Sequence, residues 1–305
     1  MDMRRLRYYV AVAEEKSFTK AAEKLFIAQP PLSRQIQNLE TDLGVLLFER
    51  GSRPLKMTPA GEFLYQHAVK LLSNAAEIRA MTQRIGGLEH TVTMGFVGSL
   101  LYGLLSKIVY LYSQQQPHLK IEMIEMTTMQ QVTALKEGRI DVGFGRLRIS
   151  DPAVKRVLLR EEPLFLALHS NHHLLAQKEG VYLSDIVDEN IFLYPNHVQP
   201  SFATQVQNLF SEYHLDPTNL RTVRELQLAL GFVAAGIGVC IVPESARSIQ
   251  LAHLHYIPIL DQSAVSPIFM SIRNLDKSKD ITALFECIYQ IYEMEGIKYE
   301  RHYKG

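Results

Sequence analysis

The stretch "SFTKAAEKLFIAQPPLSRQIQNLE", Ser17 to Glu40, decides how the first part of this chain folds. Pro30 and Pro31 stand inside an apolar pattern of helical period. Proline in a helix interior removes a hydrogen bond and clashes with the preceding turn, at about 3 kcal/mol or more. In the first turn it costs little, because those N–H groups have no partner within the helix. The pattern therefore divides in two. A helix capped by Ser17, which can accept from the backbone at Lys20, runs through Ala21, Ala22 and Leu25. "FIAQ" is a turn. A second helix starts near Ala28 to Pro30 and runs to about Asp42. Leu32, Ile36, Leu39 and Leu43 form its buried stripe, and Gly44 terminates it.

Upstream, Met3, Leu6, Tyr9, Val10 and Ala13 recur at helical spacing and form a preceding helix. Helix, tight turn and proline-started helix make a helix-turn-helix. The polar face of its second helix carries Gln29, Ser33, Arg34 and Gln37, side chains of the right length to read base edges in a major groove. Arg34 could fork onto guanine and Gln29 pair with adenine. The bland alternative is a solvated polar face. Downstream, "LLFERGSRPLKMTPAG" predicts short strands at Leu47–Phe48 and Leu55–Met57 around a turn at Gly51–Ser52. Such a hairpin is a wing. Arg53, with Arg50 and Lys56, would meet phosphates or a minor groove.

Thr58 and Pro59 open a long helix to about Arg84. Leu64, Leu71, Ile78 and Ile85 are spaced by seven, with Ala68, Ala75 and Thr82 four residues after the first three. This a/d pattern with small d residues implies a close helix pair and hence a dimer; packing within one domain is the alternative. Gly86–Gly87 ends the helix as a hinge. Beyond it, strands at 91–98, 120–126, 140–145, 164–170, 191–195, 238–243 and 266–274 alternate with helices at 129–138, 202–213, 225–236 and from about Ile281 to Glu295. That order predicts a mostly parallel sheet with ligands at strand carboxyl ends, more naturally split into two α/β lobes.

Composition is that of an ordinary globular protein, with 47% hydrophobic and 21% charged residues. Ten Lys/Arg against seven Asp/Glu make residues 1–58 +3, which leaves −3 for the rest of a neutral chain. "MDMRRLRYYV" is charged where a signal peptide needs an apolar core. A long apolar, uncharged run, Leu226 to Val242, is broken by glycines and reads as helix–turn–strand rather than a membrane span. Cys240 and Cys287 form no metal or redox motif and fit a reducing cytoplasm. "HSNHH" (169–173) lacks a further converging partner, so no metal is expected. No Ser-His-Asp pattern, P-loop or dinucleotide fingerprint occurs, and no cofactor is expected.

Together these residues resemble the LysR-type transcriptional regulators over the whole chain. The S-x-x-x-A-A-x-x-L helix followed by Q-P-x-L-S-x-x-I-x-x-L-E-x-x-L-G-x-x-L-F-x-R is similar to the family's N-terminal signature. "GRIDVGFG" and "VAAGIGVCIVP" resemble its effector domain. "GFVGSLLYGLL", "LKEGRIDVGFGRLRISDPAVKR" and "VRELQLALGFVAAG" resemble the subgroup that responds to muconate or benzoate. The resemblance implies an α/β chain with a winged helix-turn-helix over 1–58, a linker or dimerisation helix over 59–87 and a two-lobed, periplasmic-binding-protein-like effector domain over 88–305. Lobe I would hold about 88–161 and 267–305, and lobe II about 162–266. It implies no enzyme but a cytoplasmic activator of aromatic-compound catabolism genes, a tetramer built as a dimer of dimers. Its partners would be promoter DNA, RNA polymerase and a small aromatic-derived acid. An effector-independent repressor and an α/β enzyme fused to a DNA module are the alternatives.

The resemblance places Gln29, Pro30, Pro31, Ser33 and Arg34 at the major groove. For the effector it points to Ser99 and Thr128, with Gly98 beside them and the Pro200-Ser201-Phe202 loop closing from the other lobe. Ser201 stands where the relatives' pattern would have Asn. The residues agree in part. A strand ends at Val97 or Gly98 and a helix starting near Ser99 would offer free N–H groups to an anion, as would the next helix after Met126-Thr127-Thr128. Plain N-capping is the alternative for Ser99 and Thr128. A second effector site is implied near Arg160 and Tyr292, with Arg146, Glu161 and Glu162 nearby; a structural salt bridge is its alternative.

Overall fold

The computed structural model describes residues 2–49, 51–52, 54–85, 91–177, 179–195, 200–274, 276, 278 and 279–301, with the side chains of 76, 77, 79–81 and 83–85 set aside. Arg50, Arg53 and the Gly86–Gly87 hinge lie outside the described residues, as does the side chain of Ile85. Two compact units divide the chain, one holding residues 1–88 and the other nearly all that follows.

The first unit starts with α1 (Met3–Glu15), α2 (Phe18–Lys24) and α3 (Gln29–Leu43). Ser17 caps α2 by accepting from the Lys20 amide at 3.4 Å. Pro30 and Pro31 fall in the first turn of α3, and Gly44 closes it with φ of 71°, a conformation that costs glycine little. Leu6, Tyr9, Val12, Ala21, Ala22, Leu32, Ile36 and Leu39 form the core of the unit. Leu43 does not join the stripe; it is exposed at the last position of α3, beside Gly44. The wing is smaller than two strands. It is one bridge between Phe48 and Met57, with the Glu49 amide donating to the Lys56 carbonyl at 2.9 Å. Glu40 anchors it, because its carboxylate accepts from the amides of Leu47 (2.7 Å) and Phe48 (3.3 Å).

Helix α4 (Pro59–Ile85) starts where Thr58 Oγ1 accepts from the Gly61 amide at 3.0 Å. Its two ends behave differently. Ala68 is buried against the first unit's own core, with Leu64 and Leu72 packed beside it. Leu71 and Ile78 are 45% and 66% exposed, so the heptad stripe emerges from its own unit after the first repeat.

The second unit contains β1 (Thr91–Phe96), α5 (Leu105–Gln115), β2 (Lys120–Glu125), α6 (Thr128–Lys136), β3 (Val142–Gly145) and β4 (Val154–His169). After these come β5 (Asn190–Leu193), α7 (Phe202–Glu212), β6 (Asn219–Thr222), α8 (Leu226–Ala234), β7 (Val239–Pro243), β8 (Leu254–Pro258), β9 (Val265–Arg273) and α9 (Lys279–Met294). The strand order is β2-β1-β3-β9-β4-β7-β5-β6, with β8 also on β4. One sheet joins β1, β2, β3 and β9 to the first part of β4; the other joins β5 to β8 to its second part. The sheet is mixed rather than mostly parallel. β1–β3 and β5–β7 supply parallel pairs, but β4 and β9 cross between the lobes in opposite directions and pair antiparallel. β4 therefore runs for 16 residues, twice the strand that its apolar half (164–170) predicts. Its first half alternates Lys155, Arg156, Arg160 and Glu161 with buried Val154, Val157 and Leu159, which hides it from a search for apolar runs. One core, from Val92 to Leu159 and Ile268 to Tyr292, fills the first lobe; another, from Leu164 to Ala264, fills the second.

Candidate functional site

On α3 the buried stripe faces inward, and Gln29, Pro30, Pro31, Arg34 and Gln37 are all exposed on the other side. Ser33 is half-buried and accepts from Gln29 Nε2 at 2.8 Å. The first turn of α3 thus presents a guanidinium, a carboxamide and a hydroxyl on a rigid, proline-stiffened end. Lys56 on the wing is exposed as well.

Between the two lobes of the second unit lies a cavity of about 470 Å³. That is within the usual range for a small-molecule site. Gly98, Ser99, Thr128, Ser201 and Phe202 all line it, together with Arg146. Strand ends from one lobe and the start of α7 from the other bring them together. Gly145, at the end of β3, makes room for Thr128: a Cβ there would meet Thr128 Oγ1 at 2.6 Å.

The local geometry departs from two expectations. No α-helix starts at Ser99. Residues Gly98–Tyr102 make a five-residue 3₁₀ turn, and Ser99 caps nothing. Its hydroxyl instead accepts from Arg146 Nε at 2.9 Å. Thr128 is likewise not the cap of α6. Thr127 takes that role, accepting from the Gln130 amide at 3.3 Å while its own amide donates to Gln130 Oε1 at 2.9 Å. Thr128 is buried and accepts from the Arg146 amide at 3.4 Å. Ser201 does cap its helix, accepting from the Thr204 amide at 3.3 Å.

Arg146 is the centre of the site. Its side chain is 4% exposed and donates to Ser99 Oγ, Ser266 Oγ (3.3 Å), Ser245 Oγ (2.8 Å) and Glu162 Oε2 (2.7 Å). The other oxygen of Glu162 pairs with Arg160, whose guanidinium sits 5.8 Å from the centre of the Tyr292 ring. Glu162 is 1% exposed. Two arginines thus share one buried carboxylate, leaving one positive charge in excess among the buried groups, while the exposed Glu125, Arg224 and Glu225 also line the cleft. Removed from water, that charge attracts a carboxylate more strongly than a surface arginine would. Arg160, Glu162 and Tyr292 also line a separate interior cavity of about 20 Å³, walled by Leu100, Leu104, Leu105, Ile108 and Phe144. It is large enough for about one water molecule. Burial pushes the Tyr292 hydroxyl up to about 12, so it stays a neutral donor. Glu161, grouped with these residues by sequence, turns outward and pairs with Arg148.

Among the cleft residues that escape a reading of the sequence are Tyr102, Tyr194 and Gln227. Gln227 Nε2 donates to Tyr102 Oη at 2.5 Å across 125 positions, bridging the lobes. Tyr194 Oη is buried and makes no hydrogen bond, and burial holds its pKa well above the usual phenol value. Tyr102 and Gln227 lie inside the stretches "GFVGSLLYGLL" and "VRELQLALGFVAAG", but nothing local in them says that the two side chains meet; Tyr194 belongs to no such motif.

Comparison with known proteins bears on both units. The family model of bacterial regulatory helix-turn-helix proteins of the lysR family matches residues 3–62, and that of the LysR substrate binding domain matches residues 86–291. The HTH-type transcriptional regulator BenM of Acinetobacter baylyi is 58% identical over 97% of this chain and 98% of its own. A crystal structure of full-length BenM, 56% identical, superposes over 99% of this chain and all of the other with a TM-score of 0.69. The BenM effector binding domain with its effector benzoate, 51% identical, covers 72% of this chain and 99% of its own with a TM-score of 0.70. These relatives are transcription regulators, not enzymes. Among the described residues no helix is long and apolar enough to cross a membrane. With its helix-turn-helix unit at the front and its two-lobed cleft behind, the chain belongs to the LysR family of bacterial DNA-binding transcription regulators.

Proposed function

We propose that this regulator activates genes of aromatic-compound catabolism in response to a small carboxylate bound in the cleft. Benzoate, the effector of BenM, and cis,cis-muconate, implied by the family resemblance, are the two acids in view. The observation that carries the reading is the excess buried positive charge: Arg146, at the wall of a 470 Å³ cavity, shares Glu162 with Arg160 behind it. A carboxylate at Ser99 and Thr128 would sit next to Arg146, while Phe202 and Ser201 cover it from the second lobe. Arg160, Tyr292 and Glu162 are the second effector site, one that admits an acid only when the aliphatic walls around its cavity of about 20 Å³ part. An acid there competes for the Glu162 ion pairs and so biases how the lobes pack.

On the DNA side, Gln29, Ser33 and Arg34 read base edges from the first turn of α3, where Pro30 and Pro31 hold them. Arg53 contacts the backbone or the minor groove. Residues 1–58 act as the DNA module, 59–87 as the dimerisation helix and 88–305 as the effector module. The exposed Leu71 and Ile78 of α4 pair with a second copy, and two dimers form the tetramer. Effector closure biases two tetramer arrangements, shifts the DNA-binding pairs along the promoter and engages RNA polymerase in the cytoplasm.

Calorimetric titration of the full chain with cis,cis-muconate and with benzoate tests the ligand. At least one acid should bind, and Arg146→Gln should weaken it about tenfold or more, the worth of a charge-assisted hydrogen bond. No binding of either acid would overturn the ligand class. Footprinting with and without the acid tests the response; an unchanged footprint would favour an effector-independent repressor.

A further inference from the structure

Beyond the cleft and the DNA-facing helix, one cluster of ligating side chains remains unused among the described residues. The chain leaves β4 through His172, which starts a 3₁₀ turn at His173–Ala176. Glu189 immediately precedes β5. The fold brings these three together: one ligating atom from each of His172, His173 and Glu189 lies within 4.8 Å of the other two. Glu189 is the converging partner that "HSNHH" lacks in the sequence.

The distances are informative. His172 Nε2 is 3.5 Å from one Glu189 oxygen, and His173 Nε2 is 3.8 Å from the other. Both exceed the roughly 3.2 Å reach of a good N–H···O hydrogen bond. The three groups aim at one another across a gap that none of them closes. Zinc–ligand bonds of about 2.0–2.2 Å in a tetrahedron place neighbouring ligand atoms roughly 3.4 Å apart. The two observed spacings, each to a different oxygen of Glu189, are close to that edge, and the three ligand atoms, all within 4.8 Å of one another, would draw in to meet it. The two imidazoles lie nearly parallel, with centroids 4.7 Å apart and planes at 25°, which brings both Nε2 atoms to the same carboxylate.

We propose that His172, His173 and Glu189 bind a divalent transition-metal ion of the zinc, nickel or copper class. Two imidazoles and one carboxylate suit these ions, whereas magnesium and calcium require oxygen-rich sites. The side chain of His173 is 73% exposed, so water completes the coordination and the ion exchanges with solvent. Binding has a cost. His172 Nδ1 accepts from the Leu174 amide at 3.4 Å, and metal on Nε2 moves the ring proton to Nδ1 and gives up that long contact. The ion would tie the turn after β4, the strand common to both sheets, to the start of β5, which leads to Tyr194 in the cleft.

Titration of the full-length chain with zinc chloride, followed by calorimetry, tests this. One equivalent should bind, and magnesium chloride should give no heat at the same concentrations. His173→Asn, at an exposed position, and Glu189→Gln should each weaken zinc binding at least tenfold while the circular dichroism spectrum is unchanged. Zinc-edge X-ray absorption of the loaded protein should show two imidazole ligands. Absence of zinc binding overturns the site. So does wild-type affinity in both variants, which would place the ion on other histidines.

Discussion

The cleft and the interior cavity of the effector unit are joined through one carboxylate, that of Glu162, and differ in nearly everything else. Glu162 gives one oxygen to Arg146 at the cleft and the other to Arg160 at the cavity. The cleft holds about 470 Å³ between two lobes, the cavity about 20 Å³ within one core. An acid can enter the first by filling existing space. In the second, aliphatic walls must move before anything larger than water fits, and a close-packed core resists that. Charge placement alone therefore does not decide where an acid binds. The two regions offer similar guanidiniums, and volume separates them.

The shared carboxylate is the place to break this comparison. Glu162→Gln removes the negative charge from between two buried guanidiniums. It should destabilise the effector unit by about 3–5 kcal/mol, read as a lowered midpoint in urea denaturation. A loss below about 1 kcal/mol would mean that water reaches the arginines and screens them. The difference in volume can be tested separately. Leu105→Ala enlarges the interior cavity at a stability cost of about 2–5 kcal/mol. If volume is the barrier, this variant should bind benzoate in addition to any cleft ligand, as an extra equivalent in calorimetry. Ser99→Ala probes the cleft wall more gently. It removes the 2.9 Å acceptor from Arg146 Nε and should cost about 1 kcal/mol, or roughly fivefold in acid affinity. Pro30→Ala, in the other unit, should leave both regions untouched. Its stability should change by less than about 1 kcal/mol, while operator selectivity in competition binding falls. Wild-type selectivity would leave the prolines as helix starters only.

The front of the chain was nearly readable without coordinates. Caps, stripes and terminators there act over three or four positions: Ser17 on Lys20, Leu32 with Ile36, Gly44 after Leu43. The effector unit was legible as alternating strands and helices, the crossing strand β9 included, but not in the first half of β4. The polar first half of β4 carries no periodic apolar signal of its own, because its partner β9 lies over 100 positions away.

The site divides in the same way. Ser99, Thr128, Ser201 and Phe202 were accessible because each stands at a strand end or helix start, features written in adjacent residues. Their chemistry was not accessible. That Ser99 serves Arg146 and that Glu162 reaches Arg146 follow from side chains meeting across 47 and 16 positions, whereas the choice of Thr127 over Thr128 as the cap of α6 is local, settled by Gln130 three positions on. Glu189 reaching His172 and His173 is a further case. Short-range hydrogen bonding and helical periodicity are properties of consecutive residues, so the order of amino acids states them directly. Which charges become neighbours, and how much water is left between them, depends on how the two sheets close around β4, and that is a property of the folded chain.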